Sequence, residues 1–177
     1  MIPPTAAAKT RRGRSMFAIL VAVVALAVGV AAYVRSVRRM EETIRSVQAA
    51  GGAAYLSHQI RDGRLVAQAE PDLPSWVASR SPRAARFVHS LAYIDLRGPH
   101  FDDQHVKALL GAPWLQWLAL SSSQVSDAGV RMLPELTPRL VRLELENTQI
   151  TDVSIDSLAE LKQLQWLFLD GTRITSS

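Results

Sequence analysis

The chain contains no cysteine. Disulfide staples, thiolate metal centres and a cysteine nucleophile are therefore excluded. Acidic residues are missing from the first 35 positions, where Lys9, Arg11, Arg12, Arg14 and Arg35 lie. Of the 20 basic residues in all, that leaves 15 to face all 16 acids in the remainder. The basicity belongs to a tail, so a nucleic-acid-binding domain, which carries its basic patch on a folded surface, is not expected. Motifs of catalysis are lacking too: no Gly-x-Ser-x-Gly elbow, no phosphate loop and no paired-His metalloprotease helix is present. His58, His89, His100 and His105 have no ligand spacing with a carboxylate. Asp102-Asp103-Gln104-His105 reads as a helix start before it reads as a cation site. Ser121-Ser122-Ser123 reads as a turn, because Ser123 aligns with Thr148 and Thr172. No enzyme activity, cofactor or metal is expected.

What is present begins with an uncharged run over residues 16–34, rich in Ala, Val, Leu and Ile. At ~1.5 Å per residue it makes roughly 28 Å of helix, close to the ~30 Å hydrocarbon core of a bilayer. Phe17 and Tyr33 mark its two ends, where aromatic rings favour the interface. The run exceeds the apolar region of a secretory signal and is followed at once by Arg35, which predicts an uncleaved anchor. A cleaved signal peptide is the alternative, with Val30-Ala31-Ala32 as the small residues for a peptidase. Four basic residues before the run set the N-terminus, residues 1–15, in the cytoplasm and the rest of the chain outside it. Residues 36–50 continue as a juxtamembrane helix with the stripe Val37, Met40, Ile44 and Val47, ended by Gly51-Gly52. That stripe serves a coiled coil or membrane-surface contact, or marks a short helix that packs on the first of the repeats further along the chain.

Residues 53–88 are read as a connector and N-terminal cap. Tyr55-Leu56 and Leu65-Val66 are candidate strands about an Asp62-Gly63 turn, and Trp76, Val77, Phe87 and Val88 are candidate covering residues. Arg80, Arg83 and Arg86 form either an anion-binding patch or a solvated face.

From residue 89 one pattern recurs four times: Leu91-x-x-Ile94-x-Leu96, Leu115-x-x-Leu118-x-Leu120, Leu140-x-x-Leu143-x-Leu145 and Leu164-x-x-Leu167-x-Leu169. From Ile94 the matching positions follow at steps of 24, 25 and 24 residues. Asp103, Asp127 and Asp152 fall where a helix-capping acid would stand. Apolar residues then follow at helical spacing: Val106/Leu109/Leu110, Val130/Leu133/Leu136 and Ile155/Leu158/Leu161. A short strand plus a helix at this period, with Leu in fixed slots, is the leucine-rich repeat signature. The expected fold class is α/β, a short leucine-rich repeat solenoid over residues 89–177. It has a parallel strand ladder, helices on the convex side, and one transmembrane helix ahead of it.

This layout resembles the membrane-anchored leucine-rich repeat proteins abundant in planctomycete bacteria. The resemblance covers nearly all of the chain. It is most specific in Val125-Ser126-Asp127-Ala128-Gly129-Val130, which is similar to the V-T-D-A-G-L box of that family. Pro99 departs from the pattern where the third repeat has Thr148, and the last repeat stops at Ser176-Ser177 before a helix. The resemblance implies an architecture and a general binding role.

Between the Leu positions, residues on the concave side point outward. Tyr93, Trp117, Arg142 and Trp166 form one column; Asp95, Ala119, Glu144 and Phe168 form the next. With strands about 4.8 Å apart, Trp117, Arg142 and Trp166 are placed to form a cation–π ladder. The predicted partner-binding face is Tyr93, Asp95, Trp117, Arg142, Glu144, Trp166 and Phe168. The expected partners are the membrane and a protein or extended polymer. The alternative is a self-associating structural protein of the cell envelope, joined through the edge of the C-terminal strand.

Overall fold

The computed structural model describes residues 7–61, 64–66, 68–69 and 91–175. The Asp62-Gly63 turn, the covering residues Trp76, Val77, Phe87 and Val88, and Arg80, Arg83 and Arg86 lie outside the described residues, as do residues 1–6, His89, Ser176 and Ser177. The chain divides into two compact units, residues 1–36 and 37–177.

Helix α1, Ala7–Ala49, runs through the first unit and into the second. Its described side chains up to Ser36 are exposed, including Phe17, Leu20, Leu26 and Tyr33. An exposed stretch this apolar is long enough to cross a membrane. From Val37 onward the same helix is amphipathic: Val37, Met40, Ile44 and Val47 are buried, and the last three join the main core. The stripe therefore packs inside its own unit. Thr43, also buried, donates its hydroxyl to the Ala108 carbonyl at 3.1 Å.

The helix ends in a Schellman motif. Gly51 adopts φ +84°, its N–H bonds to the Gln48 carbonyl at 3.0 Å, and the Gly52 N–H bonds to the Val47 carbonyl at 2.9 Å. Gly52 is required for a second reason: a Cβ there would lie 2.7 Å from the Asp95 carbonyl oxygen. The turn sends the chain directly into β1, Ala53–Leu56. A small antiparallel hairpin follows, β2 (Ile60–Arg61) with β3 (Arg64–Leu65).

The main sheet has five strands in the order β1–β4–β5–β6–β7, where β4 is Leu91–Asp95, β5 Trp117–Ala119, β6 Arg142–Glu144 and β7 Trp166–Phe168. β1 lies antiparallel on β4; the other neighbours are parallel. Ile94, Leu118, Leu143 and Leu167 stand in register across the four parallel strands. Ile94, Leu118 and Leu143 are 0% exposed, but Leu167 on the outer strand is 38% exposed, so the fourth Leu slot is only half covered.

Helices α2 (Asp103–Lys107), α3 (Asp127–Leu136) and α4 (Ile155–Glu160) follow β4, β5 and β6. Two of the expected inward positions are corrected. Leu110 is 68% exposed and Ile155 is 46% exposed. In both places a tighter 3-10 turn is spliced to the helix, Ala108–Gly111 after α2 and Asp152–Ser154 before α4. Three residues per turn in place of 3.6 turns Leu110, inside the first, and Ile155, just after the second, off the apolar stripe. Ala112 and Ser154 are buried beside them.

The capping acids are also corrected. The N-caps are Asp102, Ser126 and Thr151, each accepting from backbone N–H groups of its helix. The acid one residue later points sideways to the next unit's cap. Asp103 accepts from the Ser126 N–H and hydroxyl at 2.9 and 2.7 Å. Asp127 accepts from the Thr151 N–H and hydroxyl, both at 2.8 Å, and from the buried Ser154 hydroxyl. Asp152 accepts from the Thr175 N–H and hydroxyl at 2.7 and 2.6 Å. Each carboxylate thus serves its own helix dipole and stitches one unit to the next.

Candidate functional site

The side chains that leave the sheet away from the Leu rows form two rows of their own. Register places Tyr55, Tyr93, Trp117, Arg142 and Trp166 in the first, and Asp95, Ala119, Glu144 and Phe168 in the second. The rings of Tyr55 and Tyr93 stack at 5.2 Å, and those of Tyr93 and Trp117 at 4.2 Å. The Arg142 guanidinium continues the pile, 4.4 Å from the Trp117 ring and 4.7 Å from the Phe168 ring. The second ring is a correction: the expected ladder ran on to Trp166. Arg142 leans to the neighbouring row because Glu144 pulls it there, accepting from its Nε at 2.8 Å and lying 2.7 Å from its Nη2. Glu144 also accepts from the Trp117 indole N–H at 3.1 Å, which locks ring, cation and carboxylate into one cluster.

A second cluster adjoins it. Asp95 accepts from the Arg97 N–H at 3.1 Å, from Arg97 Nε at 2.9 Å and from the Tyr93 hydroxyl at 3.1 Å. Burial pushes the Asp95 carboxyl up, but the Arg97 bonds outweigh it and hold its pKa below the usual value. Burial first, and then the Asp95 charge, push the Tyr93 phenol well above its ordinary range. Tyr93 therefore stays protonated as a donor to Asp95.

These clusters divide the expected face in two. Tyr93 and Glu144 are buried, covered by Tyr55 and Trp117 in one case and by Arg142 in the other. They organise the face from beneath. Trp117, Arg142, Asp95 and Phe168 are half-buried, and Trp166 is 58% exposed. Sequence reasoning missed Tyr55, which enters through an antiparallel strand outside the period. Beside these rows, Glu146 accepts from the Ser121 hydroxyl at 3.1 Å.

The other polar candidates resolve into structure. Asp102 caps α2, and its carboxyl is held below its usual pKa, chiefly by the His105 side chain 2.8 Å away. Ser123 and Thr148 are buried turn residues; the Thr148 hydroxyl donates to the Leu145 carbonyl and the Ser123 hydroxyl accepts the Val125 N–H. Residues with positive φ recur beside them: Gly98, Ser122, Asn147 and Gly171. Compared with known proteins, the chain matches no family model, no curated protein and no solved structure, so its own geometry carries the functional reading.

Proposed function

We propose that this chain is a single-pass membrane protein displaying a short leucine-rich repeat solenoid of the planctomycete type its sequence resembles. Its sheet face binds another protein or an extended polymer, and its role is binding, not catalysis. The observation that carries the reading is the continuous row of aromatic and guanidinium groups laid across five strands, held rigid by Glu144 and Asp95. Aromatic and Arg side chains are enriched at the points that dominate binding energy, and rigid ones lose little entropy on contact. A photo-crosslinking side chain placed at position 166 should yield adducts in intact membranes, whereas one at Glu160 on α4 should not. Equal yields from the two positions, or none from either, defeat the proposal.

The proposed topology puts residues 1–15 in the cytoplasm and the solenoid outside. Protease added to intact spheroplasts should then digest the solenoid; protection until lysis reverses the assignment. A mature N-terminus beginning after Ala32 would replace the anchor with a signal peptide.

Outer strand β7 favours a second reading, self-association of an envelope protein, because Trp166 and Leu167 are both exposed there. Sedimentation of the detergent-solubilised chain separates the two: concentration-dependent assembly lost on Leu167→Lys supports self-pairing, and a monomer at all concentrations removes it.

A further inference from the structure

The face already holds one bound cation, and it is the protein's own. Arg142 lies between the Trp117 and Phe168 rings while Glu144 accepts its N–H groups. One strand further on, the ingredients recur without the cation. Trp166 occupies the register position beside Arg142 and is 58% exposed, with no ring or cation stacked on it among the described residues. Asp170, in the turn after β7, is exposed and has no ion pair among the described residues. Among the described residues, Glu146 accepts a side-chain hydrogen bond from the neutral Ser121 hydroxyl and has no ion pair. The other acids of the face are compensated: Asp95 by Arg97, and Glu144 by Arg142. Among the described residues the uncompensated charge of the face is therefore negative, carried by Glu146 after β6 and Asp170 after β7, the two strands that hold Arg142 and the open Trp166 ring.

Resting on the binding role proposed above, we infer that this end of the face takes an arginine of an extended partner peptide, its guanidinium stacked on Trp166 and paired with Asp170 or Glu146. Charge complementarity selects a cation, and the internal precedent selects its shape. A planar guanidinium can cover a ring and offer a fork of N–H donors to a carboxylate at once; an ammonium is a point charge without that plane. An extended partner suits the site because its side chains alternate at the spacing of a strand.

The test uses the full chain in nanodiscs of zwitterionic lipid, titrated with a fluorescent peptide of alternating Thr and Arg and with its Lys and Glu counterparts. The Arg peptide should bind best, the Lys peptide more weakly, and the Glu peptide not at all. Trp166→Ala and Asp170→Asn should each weaken the Arg peptide by about three- to tenfold with parent-like melting. Trp114→Ala, at an exposed ring already covered by Arg139 at 3.8 Å, should change nothing. If Trp166→Ala melts early, Trp166→Leu replaces it, keeping apolar bulk without the ring. No binding of the Arg peptide, equal binding of Arg and Glu peptides, or full affinity in the Trp166 and Asp170 variants overturns the inference. Crosslinked adducts at position 166 alongside any of these results leave the wider binding role standing; absent adducts remove that role instead.

Discussion

Asp127 shows how one side chain can hold two units together. Its carboxylate receives the Thr151 N–H, the Thr151 hydroxyl and the Ser154 hydroxyl, and Ser154 is 1% exposed. Asp127→Ala leaves a buried hydroxyl without its acceptor, and the expected loss is about 1–3 kcal/mol by chemical denaturation. Burial raises the Asp127 pKa, but the Ser154 and Thr151 hydrogen bonds outweigh it and leave it lowered; Thr175 lowers Asp152. A carboxyl with a depressed folded pKa stabilises fully above its unfolded value, near 3.8, and loses that contribution as pH falls through the folded value. The melting temperature should therefore drop below about pH 4 in the parent, and more gently in Asp127→Asn. Identical acid limbs in the two proteins would show that the carboxylate bonds do not matter. Gly129 belongs to the same device. A Cβ there would lie 2.3 Å from Asp103 Oδ1 and 2.9 Å from Val125 Cγ1, so Gly129→Ala must displace the carboxylate that Ser126 uses. That variant should melt below the parent although Ala is the better helix former.

At the scale of elements, the repeated strands were legible because their Leu positions are dictated by burial alone. Leu118 and Leu143 stand in register with no exposure, so Leu118→Ala or Leu143→Ala should cost roughly 2–5 kcal/mol, whereas half-exposed Leu167→Ala should cost less. Equal losses at all three positions, measured by denaturant midpoints, would contradict that gradient. The stripe of α1 was legible for the same reason. What the sequence could not disclose depends on exchange between units. An acid at the start of a helix reads as a cap, and only the fold shows that Asp103, Asp127 and Asp152 serve the next unit's Ser or Thr. The spliced 3-10 turns that expose Leu110 and Ile155 have no compositional mark. Nor does the left-handed turn column announce itself: Gly98, Asn147 and Gly171 fit it, but Ser122 at φ +61° is not a residue type that signals it. On the face, the row Tyr93, Trp117, Arg142 and Trp166 followed from counting. The turn of Arg142 towards Phe168 did not, because it is decided by Glu144, two residues away on the same strand.

For the molecule as a whole, the exposed apolar segment and the start of the sheet unit belong to one continuous helix, and the boundary between the two units falls within it. Residues 37–49 of α1 belong to the second unit, where Met40, Ile44 and Val47 are part of the same core as Leu91, Leu96 and Leu109. Gly51 and Gly52 then lead from this helix straight into β1, whose Tyr55 begins the aromatic row. The end of α1 therefore closes the first strand unit as its core cover and also fixes the edge strand of the sheet face that carries the aromatic row. Burying a side chain of this size is worth about 1.5–3 kcal/mol, against a total stability of about 5–15 kcal/mol for a domain. Removing three such residues with Val37 should take away most of what the unit has. A soluble fragment starting at residue 35 should then melt cooperatively with near-native circular dichroism, while one starting at residue 53 should be largely unfolded or aggregated. Met40→Asp in the full chain should reproduce the defect without changing the apolar segment, because it places a charge in the buried stripe. If the fragment from residue 53 melts like the one from residue 35, the helix is only a tether and its buried stripe contributes nothing to the fold.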